Sequence, residues 1–178
     1  YITLNHPELP GIVGLLNYRP GTGKVLCELA ELLLRSNHGL PPGEREWIAS
    51  YVSYLNQCHF CHTSHGAAAS AHAMKDVEMI DEIEKGPDST LISVKLRALL
   101  VIAGQVQKGG NCVTIEAVEN AREAGATDED VHDTVLIAAA FCMYNRYVDG
   151  LHTWAPADRK DYAEEGKQMA FEGYLRHF

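Results

Sequence analysis

Between positions 58 and 65 the sequence reads Cys-His-Phe-Cys-His-Thr-Ser-His. Two cysteines and three histidines in eight residues are more than core packing asks for. Three chemistries fit this composition. Cys and neutral His are good zinc ligands, and Cys61 with His65, four apart, would share one helix face. A complete local site is excluded by reach, since Cys58 and His65 on one helix lie about 10 Å apart along its axis and zinc bonds span only about 2.0–2.3 Å. His132 and His152 are the distant donors available. Cys58–His62 also spells the c-type haem attachment pattern Cys-x-x-Cys-His, with His62 as iron ligand and a methionine or second histidine opposite. The third chemistry is that of a redox dithiol. A free thiol is mostly protonated at neutral pH, and its nucleophilic form needs a neighbouring base or positive charge.

His65 lies one helical turn after Cys61 and can take its proton. A carboxylate behind the histidine would orient it, as in other nucleophile–base–orienter arrangements. Glu46, twelve residues before Cys58, can fill that role if the two segments pack together. Cys61, with His65 one turn away, is then the attacking thiolate, and Cys58 is its partner in the dithiol. Spacing leaves the opposite assignment open, because a first CxxC cysteine at a helix N-terminus is activated too.

The elements that must position these residues read as helices. Residues 1–20, with Pro7, Pro10, Gly11, Gly14 and Pro20, suggest an extended arm. Val25, Leu26, Leu29, Leu32 and Leu33 fall at helical spacing, and 37–39 supplies a stop. Pro41-Pro42 opens a helix through Leu55 that carries Glu46. Asn56-Gln57 is a joint, and the alanine-rich 58–72 follows as a closely packed helix. Further helices are expected at 76–84, from Asp88 or Ser89 to 108, at 114–124, at 131–148 behind a Thr127/Asp130 capping box, and at 158–173. No segment alternates long enough to be a strand. The expectation is an all-α single domain of about seven or eight helices, with a core over 12–150 and a helical extension over 151–178.

Composition narrows the function. The chain has 178 residues, 46% hydrophobic and 22% charged, and 15 Lys+Arg against 24 Asp+Glu give a net charge of −9. An acidic chain without a basic block does not suit nucleic-acid phosphates or an anionic membrane surface. The longest apolar runs, at 96–103 and 135–143, fall short of the roughly 18–20 residues of a membrane span, and no signal peptide is visible, so a cytoplasmic location is expected. Five cysteines, an odd number, do not form a secreted disulfide framework. Cys27, Cys112 and Cys142 read as small buried residues. The continuous apolar run at 135–143 requires burial on every side, which suggests a subunit interface.

The block Glu44-Arg45-Glu46-Trp47 … Ser53 … Asn56-Gln57-Cys58-His59-Phe60-Cys61 … His65, together with Asn145-Arg146 in the late helix, resembles the alkyl hydroperoxidase D-like (AhpD-like) branch of the carboxymuconolactone decarboxylase superfamily, and within it the peroxidase-related proteins. The resemblance covers about residues 12–150. It implies an all-α fold, homo-oligomers that are trimers or hexamers, and cofactor-free thiol peroxidase chemistry. A small hydroperoxide would be the substrate and an external dithiol the reductant. It places Glu46, Cys58, Cys61 and His65 in the proton relay and dithiol. One position departs: Phe60 stands where the family has a histidine between the cysteines, with His59 beside it.

Overall fold

The computed structural model describes residues 2–177; Tyr1 of the expected arm and Phe178 of the expected extension lie outside them. The described residues form nine α-helices and short 3-10 turns, with no strand. The helices are α1 (Gly11–Tyr18), α2 (Pro20–Leu34), α3 (Pro42–Leu55), α4 (His59–His72), α5 (Ile80–Glu84), α6 (Val94–Lys108), α7 (Ile115–Glu123), α8 (Asp128–Gly150) and α9 (Ala163–Glu172).

Helix α3 is the axis. It packs on α4, α6 and α8, and every residue from Arg45 to Ser50 is buried, polar ones included. Pro42 starts it in the first turn, where the missing N–H costs nothing. At its other end Gln57 takes φ +61°, a left-handed conformation that turns the chain sharply. The Asn56-Gln57 joint therefore folds α4 back antiparallel onto α3. Small residues let the two helices approach closely: a Cβ on Gly66 would lie 3.1 Å from Ser50 Oγ, and Ala67, Ala68 and Ala69 are buried.

The capping box of α8 forms as expected. Thr127 Oγ1 accepts from Asp130 N at 3.1 Å and Asp130 Oδ2 accepts from Thr127 N at 3.0 Å. The helix is not apolar all round in its surroundings, because Leu136 and Met143 face outward.

Four expectations need correction. Residues 11–18 are helical, not an extended arm: Gly11 supplies a φ of +52° behind extended Pro10, and a Cβ there would fall 2.2 Å from the Phe60 ring. Pro20, placed at the end of that arm, opens α2 instead. The helix expected from residue 88 or 89 begins at Val94, where Ser93 Oγ accepts from Leu96 N at 3.0 Å; Ser89 is buried and donates to Glu82. Cys112 is exposed on the turn after α6, not buried.

The C-terminal segment begins with a 3-10 turn, Arg159–Tyr162, and continues as α9, which lies against α4. Gly166 sets that contact. A Cβ on it would come 2.6 Å from Ala67 Cβ and 2.7 Å from the Ala67 carbonyl carbon, which is backbone and cannot step aside. Gly166→Ala should therefore destabilise the fold by about 1–3 kcal/mol, the usual cost of overpacking. Gly21→Ala, with nothing within 4 Å of its Cβ position, should leave the denaturant midpoint unchanged or raised.

Candidate active site

The site is built where α3 and α4 face each other. Glu46 is fully buried at 0% exposure. His65, one residue from Gly66, donates from Nδ1 to Glu46 Oε2 at 2.7 Å. The opposite carboxylate oxygen, Oε1, accepts from Arg35 at 2.6 Å and from the Tyr174 hydroxyl at 2.6 Å. Arg35 also reaches the Met169 carbonyl at 2.6 Å, and its guanidinium sits 4.9 Å over the Tyr174 ring. His65 is held on its other sides by Phe141, edge-on at 4.5 Å, and by Tyr174, stacked at 5.9 Å.

This packing fixes electrostatics as well as orientation. Burial pushes the Glu46 carboxyl up, but His65, Arg35 and Tyr174 outweigh it and hold the group below its ordinary range. Burial and the neighbouring carboxylate push the Tyr174 phenol well up, so it remains a donor. With Nδ1–H committed to Glu46, Nε2 is the histidine nitrogen left to accept a proton.

Cys58 is the N-cap of α4 and Cys61 lies three residues on, inside the positive end of the helix. The turn before them is tied down by polar side chains. Cys58 N donates to Ser53 O at 3.0 Å. Asn145 in α8 donates to Ser53 Oγ at 2.9 Å and accepts from Asn56 at 2.8 Å. All five cysteines are free thiols. Cys58 is fully buried in a small apolar cluster with Ile80, Val148 and Tyr162. Its hydrogen bond to Cys61, then burial, push its thiol strongly up.

Cys61, by contrast, opens onto a cavity of about 70 Å³ that it shares with His65. The walls are apolar, among them Ile12, Leu16, Leu26, Phe60, Phe141 and Met169. Glu165 and Arg176, paired to each other, also line it. Phe60 gives this chain a hydrocarbon wall and no proton relay between the cysteines. His59 does not replace one: it is exposed and donates from Nε2 to the Pro156 carbonyl at 2.9 Å.

His62 does not fit an iron ligand. It is buried, donates from Nδ1 to the Ser50 carbonyl at 3.1 Å, and places Nε2 3.3 Å from Glu84. Both ring nitrogens are engaged in packing α3, α4 and α5. Among the described residues no three His, Cys, Asp or Glu side chains gather as a metal-ligand group. No helix among them is long and apolar enough to cross a membrane.

The structure thus brings Glu46 and His65 into contact and places Cys61 beside them, with Cys58 behind. Arg35 and Tyr174 complete the arrangement and are not apparent from the sequence. Arg35 only ends an apolar helix, and Tyr174 follows Gly173 in a polar segment 128 residues from Glu46. Cys27, read as filler, lines the same cavity as Cys61.

Comparison with known proteins identifies the family and the fold. Residues 20–102 match the carboxymuconolactone decarboxylase family. The fold is similar to an AhpD-core, peroxidase-related protein from Ralstonia eutropha JMP134, with 30% identity, a TM-score of 0.77, and coverage of 89% of this chain and 82% of that one. The chain belongs to the AhpD-like branch of the carboxymuconolactone decarboxylase superfamily. A peroxidase-related protein from Silicibacter sp. TM1040 shares the fold at 21% identity, with a TM-score of 0.76 over 90% of this chain and 84% of that one. The sequence matches no curated protein.

Glu46 is buried and Arg35 largely so, with side chains 0% and 11% exposed. Removing one partner leaves the other charge uncompensated, so Glu46→Gln should cost about 3–5 kcal/mol at pH 7. The Glu46→Gln/Arg35→Met pair should recover part of that in denaturant unfolding. Because the Glu46 pKa is lower folded than unfolded, its contribution is whole above the ordinary carboxylate value of about 4.3. It fades as pH falls to the folded value. Wild type should therefore lose stability on acidification more steeply than the double variant.

Proposed function

We propose that the protein is a thiol-dependent peroxidase that reduces small hydroperoxides and is itself re-reduced by an external dithiol. The observation that carries this reading is the asymmetry of the cysteine pair. Cys61 alone of the two lines the apolar cavity, beside a histidine whose orientation is fixed by a buried carboxylate. The names of the two peroxidase-related structural relatives support it.

In this reading His65 Nε2 takes the Cys61 proton, and Glu46 stabilises the imidazolium. The Cys61 thiolate attacks the terminal peroxide oxygen, forming an S–O bond as the O–O bond breaks. The alcohol leaves with the proton held by His65. Cys58 then attacks the sulfenic acid sulfur, releasing water and forming the 58–61 disulfide. An incoming dithiol restores both thiols by exchange. One equivalent of cumene hydroperoxide should consume two of the five thiols. Mass spectrometry should find a 58–61 bridge and leave Cys27, Cys112 and Cys142 reduced; oxidation of those three first, with the pair inert, would refute the reading.

We further infer a homo-oligomer, a trimer or a hexamer. Val25, Leu32, Val101, Leu136 and Met143 are large apolar side chains exposed on α2, α6 and α8, and such surface favours association. Light scattering should give three or six times the 19.6 kDa chain mass, and a monomer stable on dilution would reject the inference.

A further inference from the structure

Of the buried serine and threonine hydroxyls in the described helices, Ser50 donates across to His62 O at 2.8 Å, and three others satisfy themselves within their own helix. Ser53 donates to Ala49 O at 2.8 Å, Ser70 to Gly66 O at 2.8 Å, and Thr134 to Asp130 O at 2.7 Å. Each bends back to the carbonyl four residues earlier, the usual way such a side chain satisfies itself in a helix. Ser64 in α4 departs from this. It is 3% exposed, and its Oγ has no hydrogen-bond partner. Thr63 shares the lack of a partner, but only Ser64 lines the cavity.

Ser64 is three residues after Cys61 and one before His65, and all three residues line the same cavity. The other hydroxyls around the cavity are committed elsewhere. Tyr144 donates to Leu26 O at 2.9 Å and Tyr174 to Glu46. Arg176 is paired with Glu165. A buried hydroxyl left unpaired lowers stability. One that faces a cavity beside a nucleophile gains its partner when a substrate enters.

We propose that Ser64 is a catalytic hydrogen-bond donor to the leaving oxygen of the hydroperoxide; this rests on the peroxidase reading above. As the Cys61 thiolate forms its bond to the terminal oxygen, sulfur is oxidised by two electrons and the O–O bond is reduced. Negative charge then develops on the departing alkoxide. The Ser64 O–H then directs its dipole at that charge beside mostly apolar walls, where a preorganised donor is effective. Ser64 keeps its proton; the alkoxide receives the one that His65 took from Cys61.

The test compares Ser64→Ala with wild type, both reduced, in single-turnover oxidation by tert-butyl hydroperoxide and in alkylation by iodoacetamide at the same pH. The variant should lose about tenfold to a hundredfold in the oxidation rate, toward the lower range seen when one oxyanion donor is removed. Alkylation, which develops no alkoxide, should change by less than about twofold. Peracetic acid, whose acetate leaving group needs little help, should show a smaller loss. Thermal stability should be equal to or above wild type, since an unpaired buried hydroxyl has been removed. Equal oxidation rates would overturn the proposal. A parallel fall in oxidation, alkylation and melting temperature would also overturn it and assign Ser64 a structural role. If wild type is alkylated at Cys61 yet oxidised by neither peroxide, the peroxidase reading itself has failed and the role of Ser64 falls with it.

Discussion

A carboxylate with no access to water must find its partners inside the protein, and Glu46 draws them from three distant parts of the chain. Arg35 comes from the end of α2, His65 from the middle of α4, and Tyr174 from beyond α9. Each partner is itself largely buried, so none can be exchanged for solvent without cost. The arrangement of helices is the arrangement that lets these groups converge. Helix α3 is central because its Glu46 must be surrounded. Helix α9 lies along α4 through Gly166 because the Tyr174 hydroxyl and the Met169 carbonyl must reach Glu46 and Arg35. The C-terminal segment is therefore part of the site, not an appendage to it.

The same convergence sets up the proposed chemistry. A histidine beside a thiol can rotate or exchange tautomers, and either change removes the base from the nucleophile. Here Glu46 holds Nδ1–H, while Phe141 and Tyr174 confine the ring. Arg35 keeps the carboxylate ionised, which preserves its ability to stabilise an imidazolium when a proton arrives. The mostly apolar walls of the cavity lower the local dielectric, which strengthens each of these interactions.

The parts legible in the sequence were those governed by local rules. Proline at a first turn, the Thr127/Asp130 box and the 3.6-residue period mark α3, α8 and α2. The four-residue step from Cys61 to His65 places both on one face of α4. Pairing with Glu46 requires in addition that α3 and α4 pack together across the Asn56-Gln57 joint. Arg35 and Tyr174 were not legible because nothing local distinguishes them; their partner is defined only by tertiary contact. Helix α1 is hidden in the sequence for a related reason. Gly11 and Gly14 look like breakers in isolation, but each is small because something lies against it, the Phe60 ring at one and Leu4 and the Leu9 carbonyl at the other. Ser64 is equally silent as a letter: its significance is the bond it does not make.

The two cysteines differ because they straddle a helix boundary. Cys58 is the N-cap, at φ −86° and ψ 94°, so its side chain is not confined by a preceding helical turn. Cys61 sits at the third helical position, where backbone geometry and Ser64 and His65 on the same face fix what it meets. The chain of Ser53, Asn145 and Asn56 steadies the turn that delivers Cys58. The sulfur at the N-cap is the buried one, shielded from the cavity by its apolar cluster, and the sulfur inside the helix is the one offered to it. That division suits a pair in which Cys61 meets the substrate in a fixed geometry. In the proposed reaction Cys58 then closes a disulfide to it across one turn.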